Sequence, residues 1–120
     1  MPALDAAGAA EILRDRRRAR RSMVQWAFSC GYWPARHHVH LIERLEAVAR
    51  GELTRLAVFA PPGSAKSTYT SVLFPAWLMA QPPPRGPAWD IIGASHTATL
   101  AEEFSRKVRA RVRLHPDLSR

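Results

Sequence analysis

Cysteine is nearly absent from this chain of 120 residues: Cys30 stands alone. A single thiol excludes an internal disulfide framework and any zinc site built from cysteines. Lysine is almost as scarce, with only Lys66 and Lys107 against sixteen arginines. No apolar run approaches the roughly 18 residues of a membrane-spanning helix. Arg20-Arg21 precedes the short apolar stretch Met23 to Cys30, but that stretch carries Gln25 and lacks a small-x-small cleavage site. Export is therefore not expected, and an intracellular protein is. Acidic residues number 10 against 18 basic ones, which leaves a net charge of +8. That balance points to a polyanionic partner: nucleic acid, nucleotide phosphates or an anionic membrane face. Apolar residues make up 47% of the chain, enough to build a core and to exclude wholesale disorder. The length suits one small domain, not two.

The first 30 residues read as helical. Ala3 to Ala10 is alanine-rich, and Arg14 to Arg21 holds six arginines in eight positions. Charge on every side of a helix predicts that this stretch packs against no core. It is either a solvated helix or a phosphate-binding arm. Met23 to Trp33 is dense in aromatics, with Cys30 expected as a packed thiol among them. Val39, Leu41, Ile42, Leu45, Val48 and Ala49 recur at helical steps, and Gly51 suits the C-terminal end. Leu53 to Ala60 reads as a buried strand, and Trp89 to Ala94 as a second. Between them, a helix from Ala65 to Gln81 contains Pro75, which should kink it. Gln81 to Pro87, with four prolines, is a rigid loop. Thr99-Leu100-Ala101-Glu102 has the spacing of a capping box opening the last helix. Leu100, Phe104, Val108 and Val112 stripe its buried side, and arginines decorate the rest. The alternation of helix and strand predicts an α/β fold with a parallel sheet and flanking helices.

The sharpest feature is Ala60-Pro61-Pro62-Gly63-Ser64-Ala65-Lys66-Ser67-Thr68, between the expected strand and a helix. A tight loop there turns backbone N–H groups inward, and the helix start adds partial positive charge. Lys66 would reach the β- and γ-phosphates of a nucleotide, and the Ser67 hydroxyl would ligate Mg²⁺. Its flexible ammonium suits a phosphate cradle in which arginine's planar fork would not fit. Alanine occupies both positions where the general phosphate-loop pattern has glycine, Ala60 and Ala65. A left-handed Ala65 would cost ~1 kcal/mol or more, unless Gly63 carries the permissive torsion. The plain alternative is a Pro-Gly turn and an ordinary helix start with Ser67 as its cap.

These residues resemble the large terminase subunit of tailed bacteriophages, the motor ATPase that packs DNA into proheads. The resemblance rests on Arg36-His37-His38, Leu45 to Glu52, Pro61 to Tyr69, Leu73 to Trp77, Ile92 to Thr97 and Leu100 to Glu102. It covers about residues 25–120, with residues 1–24 as a basic helical arm. It implies ATP and Mg²⁺ as cofactors, held by Pro62, Gly63, Ser64, Ala65, Lys66, Ser67 and Thr68, with Ser67 on the metal. It further implies that an aromatic within Trp26 to His38 stacks on adenine, with Phe28, Tyr32 and Trp33 all open. Double-stranded DNA, a small terminase subunit and a portal are the implied partners, and the bacterial host's cytoplasm the implied location.

A terminase of this kind also has a Walker B strand ending in Asp-Glu, a coupling motif and a nuclease with clustered carboxylates. None of these motifs occurs in the 120 residues. The chain is accordingly expected to be an N-terminal fragment with an incomplete sheet, and not to hydrolyse ATP alone. Glu102-Glu103 are expected in a helix's first turn, serving its dipole rather than catalysis. His37, His38 and His40 lack a third metal ligand and are expected beside the nucleotide pocket or in solvent. His96 reads as a surface histidine near the loop. The arginines of the last helix have DNA phosphates as a lesser expectation. A reading of another class is a non-enzymatic basic protein that holds nucleic acid through Arg14 to Arg21 and carries a vestigial phosphate loop.

Overall fold

The computed structural model describes residues 5–81 and 90–114, and its regular structure is helical. Helix α1 spans Ala6–Arg21, α2 Met23–Ser29 and α3 Arg36–Ala49. A π-helical segment, Thr68–Leu73, runs directly into α4, Phe74–Met79, and α5 spans Ala98–Leu114. Asp5 caps α1 by accepting the Gly8 N–H at 2.7 Å. Ser22 closes α1 and opens α2, its hydroxyl accepting from the Gln25 N–H at 3.5 Å. Arg18, Arg20 and Arg21 occupy the last turn of α1, where cations complement the helix dipole.

The core sits where α2, α3 and the 68–79 helix meet. Trp26, Tyr69, Met23, Ile42 and Leu73 are its largest fully buried side chains. Each such burial contributes about 1.5–3 kcal/mol. Helix α5 lies against the π-helical segment and α4, with Val108 and Val112 packed on the core. The Met23 N–H donates to Glu46 Oε1 at 2.8 Å, which ties the start of α2 to the last turn of α3.

The expected α/β architecture is not what forms: among the described residues there is no strand and no sheet. Residues 55–60 and 90–95 run without regular structure. Their apolar, β-favouring composition suits a strand, but a strand exists only as one side of a hydrogen-bonded ladder. Neither segment has such a partner here, and Phe59 is 93% exposed and Ile92 92% exposed as a result. Trp89, the expected start of the second strand, and Pro82 to Pro87 lie outside the described residues.

Three local expectations also shift. The arginine-rich stretch does touch the core, because Ala19 is buried and its carbonyl accepts the Trp77 indole N–H at 3.2 Å. Helix α5 is capped two residues before the expected Thr99, with Thr97 Oγ1 accepting from the Leu100 N–H at 3.2 Å. Glu102 and Glu103 therefore fall beyond its first turn, and Glu103 pairs with Lys107 at 2.9 Å. The disturbance around Pro75 takes the form of the π-helical segment. The Phe74 N–H reaches back five residues to the Tyr69 carbonyl, and Pro75 falls in the first turn of α4, where no intrahelical N–H is needed.

Candidate phosphate-binding site

The loop from Ala60 to Thr68 turns tightly because two consecutive devices reverse the backbone. The Ser64 N–H donates to the Pro61 carbonyl at 3.2 Å, closing a turn over Pro62 and Gly63. Gly63 has φ +80°, and Ala65 follows with φ +59°. Both torsions lie in the left-handed region, so the permissive glycine and the strained alanine share the reversal. Ala65 is the one non-glycine with a positive φ among the described residues, which marks the loop as the place where strain is tolerated. From Lys66 the chain is helical through Met79. The first N–H groups of that run have no intrahelical partner.

Lys66, half-buried, donates from Nζ to the Ala60 carbonyl at 3.2 Å, so the ammonium bridges the two ends of the loop. Ser67 follows in right-handed conformation and is half-buried. Thr68 opens the π-helical segment, and the Thr70 hydroxyl donates to the Lys66 carbonyl at 2.8 Å. The Ser64 hydroxyl oxygen is buried and has no hydrogen-bond partner among the described residues.

A cleft of about 900 Å³ opens over this loop. Residues 56–66 form one wall, and His37, His38, His40, Leu41 and Arg44 of α3 form the other. Pro62, Gly63, Ser64, Ala65 and Lys66 thus gather at one cleft, whereas Ser67 and Thr68 lie just past its rim. Arg44 escaped the sequence reading, although its spacing from His37, His40 and Leu41 places all four on one helical face. His40 lies 3.9 Å from the exposed Glu43. His96 is exposed on the approach to α5.

The aromatics expected near a base are elsewhere: Phe28, Tyr32 and Trp33 are not among the walls of the cleft. Phe28 and Trp33 form an edge-to-face pair with centroids 5.3 Å apart. Tyr32 instead engages α5, its hydroxyl accepting from Arg111 Nη2 at 3.2 Å. Arg111 Nη1 also donates to the Cys30 carbonyl at 3.3 Å. Burial pushes the Cys30 thiol up, against the opposing pull of Arg111 and Ser29. A second cleft of about 710 Å³ lies between the 70–79 helix and α5. Its walls combine apolar residues, Phe74, Leu78, Ile92, Phe104 and Val108 among them, with Thr70, Ser71, Ser105 and Arg109.

Among the described residues no helix is long and apolar enough to cross a membrane. Comparison of the chain with protein-family models, with curated proteins and with solved structures gives no match.

Proposed function

We propose that residues 60–68 bind the phosphates of Mg-ATP, and that the chain is the ATP-binding part of a DNA-packaging motor of the large-terminase kind. The observation that carries the first half is the left-handed pair Gly63 and Ala65 immediately before Lys66, at the floor of a cleft. An L-residue is held at φ +59° only where the surroundings require it. The second half rests on the sequence blocks from Arg36 to Glu102, not on a sheet.

The residues present fit a triphosphate. Lys66 now donates to a neutral carbonyl, and a phosphate oxygen is a stronger, charge-assisted acceptor for the same ammonium. Ser67 would hold Mg²⁺, which when bound supplies charge neutralisation at the phosphates. The +8 chain adds long-range attraction for a polyanion. The function proposed for this chain is binding and orienting the nucleotide.

A second reading is favoured by the exposure of Arg14, Arg17, Arg18 and Arg21 along α1. There, the chain is a basic nucleic-acid binder and the loop is vestigial. Calorimetric titration separates the two. On the first reading Mg-ATP binds, binding is lost in Lys66→Ala, and replacing the α1 arginines by Gln leaves it intact. On the second, Lys66→Ala changes nothing, and the arginine replacements remove DNA affinity and flatten its salt dependence.

A further inference from the structure

We infer that His38, outside the loop by sequence, is the positioning residue that holds the phosphate loop in its binding conformation. The inference rests on the phosphate-binding reading of residues 60–68.

His38 stands at the start of α3 and makes contacts in three directions. The Ala35 N–H donates to Nδ1 at 3.1 Å. That assigns the ring proton to Nε2, because a neutral imidazole has one acceptor and one donor nitrogen. Nε2–H then donates to the Ser64 carbonyl at 2.7 Å. The ring face stacks on Tyr69, centroids 4.5 Å apart and planes within 23°. Tyr69 is itself 2% exposed and lies one turn after Ala65, its N–H donating to the Ala65 carbonyl at 3.3 Å. Two hydrogen bonds and a stack define the imidazole's plane and both its ends. The ring is therefore a fixed strut between α3, the middle of the loop and the helix that leaves it.

The consequence for phosphate follows from peptide geometry. In a trans peptide the C=O and the next N–H point in opposite directions. Holding the Ser64 carbonyl on His38 thus occupies that oxygen with a donor and fixes the direction of the Ala65 N–H. It also pins the peptide that precedes the left-handed Ala65. Without the strut, no other hydrogen bond to Ser64 O among the described residues opposes rotation of that peptide toward an unstrained φ. The binding conformation would then be one of several, and affinity falls by the fraction that remains competent.

The test compares His38→Asn with His38→Gln in the full chain. Asn keeps an acceptor near the position of Nδ1, so the Ala35 cap survives, but it cannot reach Ser64. Gln restores a donor at the reach of Nε2. Mg-ATP titration should show about tenfold weaker binding for Asn, the loss expected for one partly buried hydrogen bond, and recovery toward the native affinity for Gln. In parallel, the backbone chemical shifts of Ala65 in the nucleotide-free protein should leave the left-handed region in Asn and return to it in Gln. Equal Mg-ATP affinity for native protein and His38→Asn overturns the inference alone. So does weak binding by both variants with Ala65 unmoved. Absence of Mg-ATP binding by the native chain, or undiminished binding by Lys66→Ala, overturns the phosphate-loop reading and the inference with it.

Discussion

The indole N–H of Trp77 donates to the carbonyl of Ala19 across 58 positions of sequence, at 3.2 Å and in a buried setting. This one bond anchors the arginine-rich helix to the core. It does so at a carbonyl in the last turn of α1, where intrahelical partners run out. Gln81 reinforces it by donating to the Arg20 carbonyl at 2.9 Å. Replacing Trp77 by Phe removes the donor and leaves a buried acceptor, a loss of about 1–3 kcal/mol. Urea unfolding should register that loss, and hydrogen exchange should show α1 loosening before α3. An unchanged midpoint would mean that the α1 junction is held by packing alone.

Ala65 and Gly63 offer a torsional test in opposite senses. Ala65 sits at φ +59°, so Ala65→Gly relieves a strain of roughly 1–2 kcal/mol while adding chain entropy worth about half of it. The expected outcome is a thermal midpoint equal to or above that of the native chain. At Gly63 a Cβ would meet nothing within 4 Å, so the cost of Gly63→Ala is torsional only. With φ +80° that cost is again about 1–2 kcal/mol, now as destabilisation. Melting curves of the two variants should therefore move in different directions, and a lowered midpoint for Ala65→Gly would contradict the conformation described.

Two apolar residues of similar size should behave differently because only one is buried. Leu73 is 0% exposed, and Leu73→Ala should cost about 2–5 kcal/mol through lost burial and the cavity left behind. Phe59 is 93% exposed, so Phe59→Ser should change stability by less than about 0.5 kcal/mol. Its measurable effect should be on self-association, since an exposed aromatic in an unpaired apolar segment favours contact between chains. Chemical unfolding together with sedimentation of both variants checks the pair of statements. A large stability loss at Phe59 would place it in a packed environment.

Alkaline pH should destabilise the fold through Cys30 and Tyr69. Burial pushes the Cys30 thiol up, and burial together with nearby Tyr32 pushes the Tyr69 phenol up. The folded state then keeps protons that the unfolded chain gives up. Stability from these groups is complete below their ordinary ranges and is lost as pH rises through the raised folded values. Urea midpoints measured from neutral to strongly alkaline pH should fall, and Tyr69→Phe should remove part of the fall. Native Cys30 should also react with iodoacetamide more slowly than the unfolded chain at the same pH.

Much of the helical framework was determined by local sequence. The three- and four-residue spacing of Ile42, Leu45 and Ala49 fits only a helix with one buried face, and α3 forms there. Gly51, at φ +78°, ends it as the residue least penalised by that torsion. The reversal at Gly63 and the emergence of a helix at Lys66 were equally legible, because turn chemistry acts over a few residues.

What tertiary structure decided depends on partners far apart in the chain. Leu56 to Ala60 has the composition of a strand, yet composition supplies only one side of a ladder, and no second side is present among the described residues. Arg14 to Arg21 has the composition of a solvated arm, yet Ala19 is buried because Trp77 reaches it. In the sequence His38 is one of three neighbouring histidines expected beside the nucleotide pocket or in solvent, with no contact of its own assigned. Its position against Ser64 exists only because α3 packs beside the loop, which brings residues 26 positions apart to 2.7 Å. Periodicity and turn residues encode what a segment does by itself. Burial, pairing and side-chain reach are properties of two segments at once, and those were settled only when the chain folded.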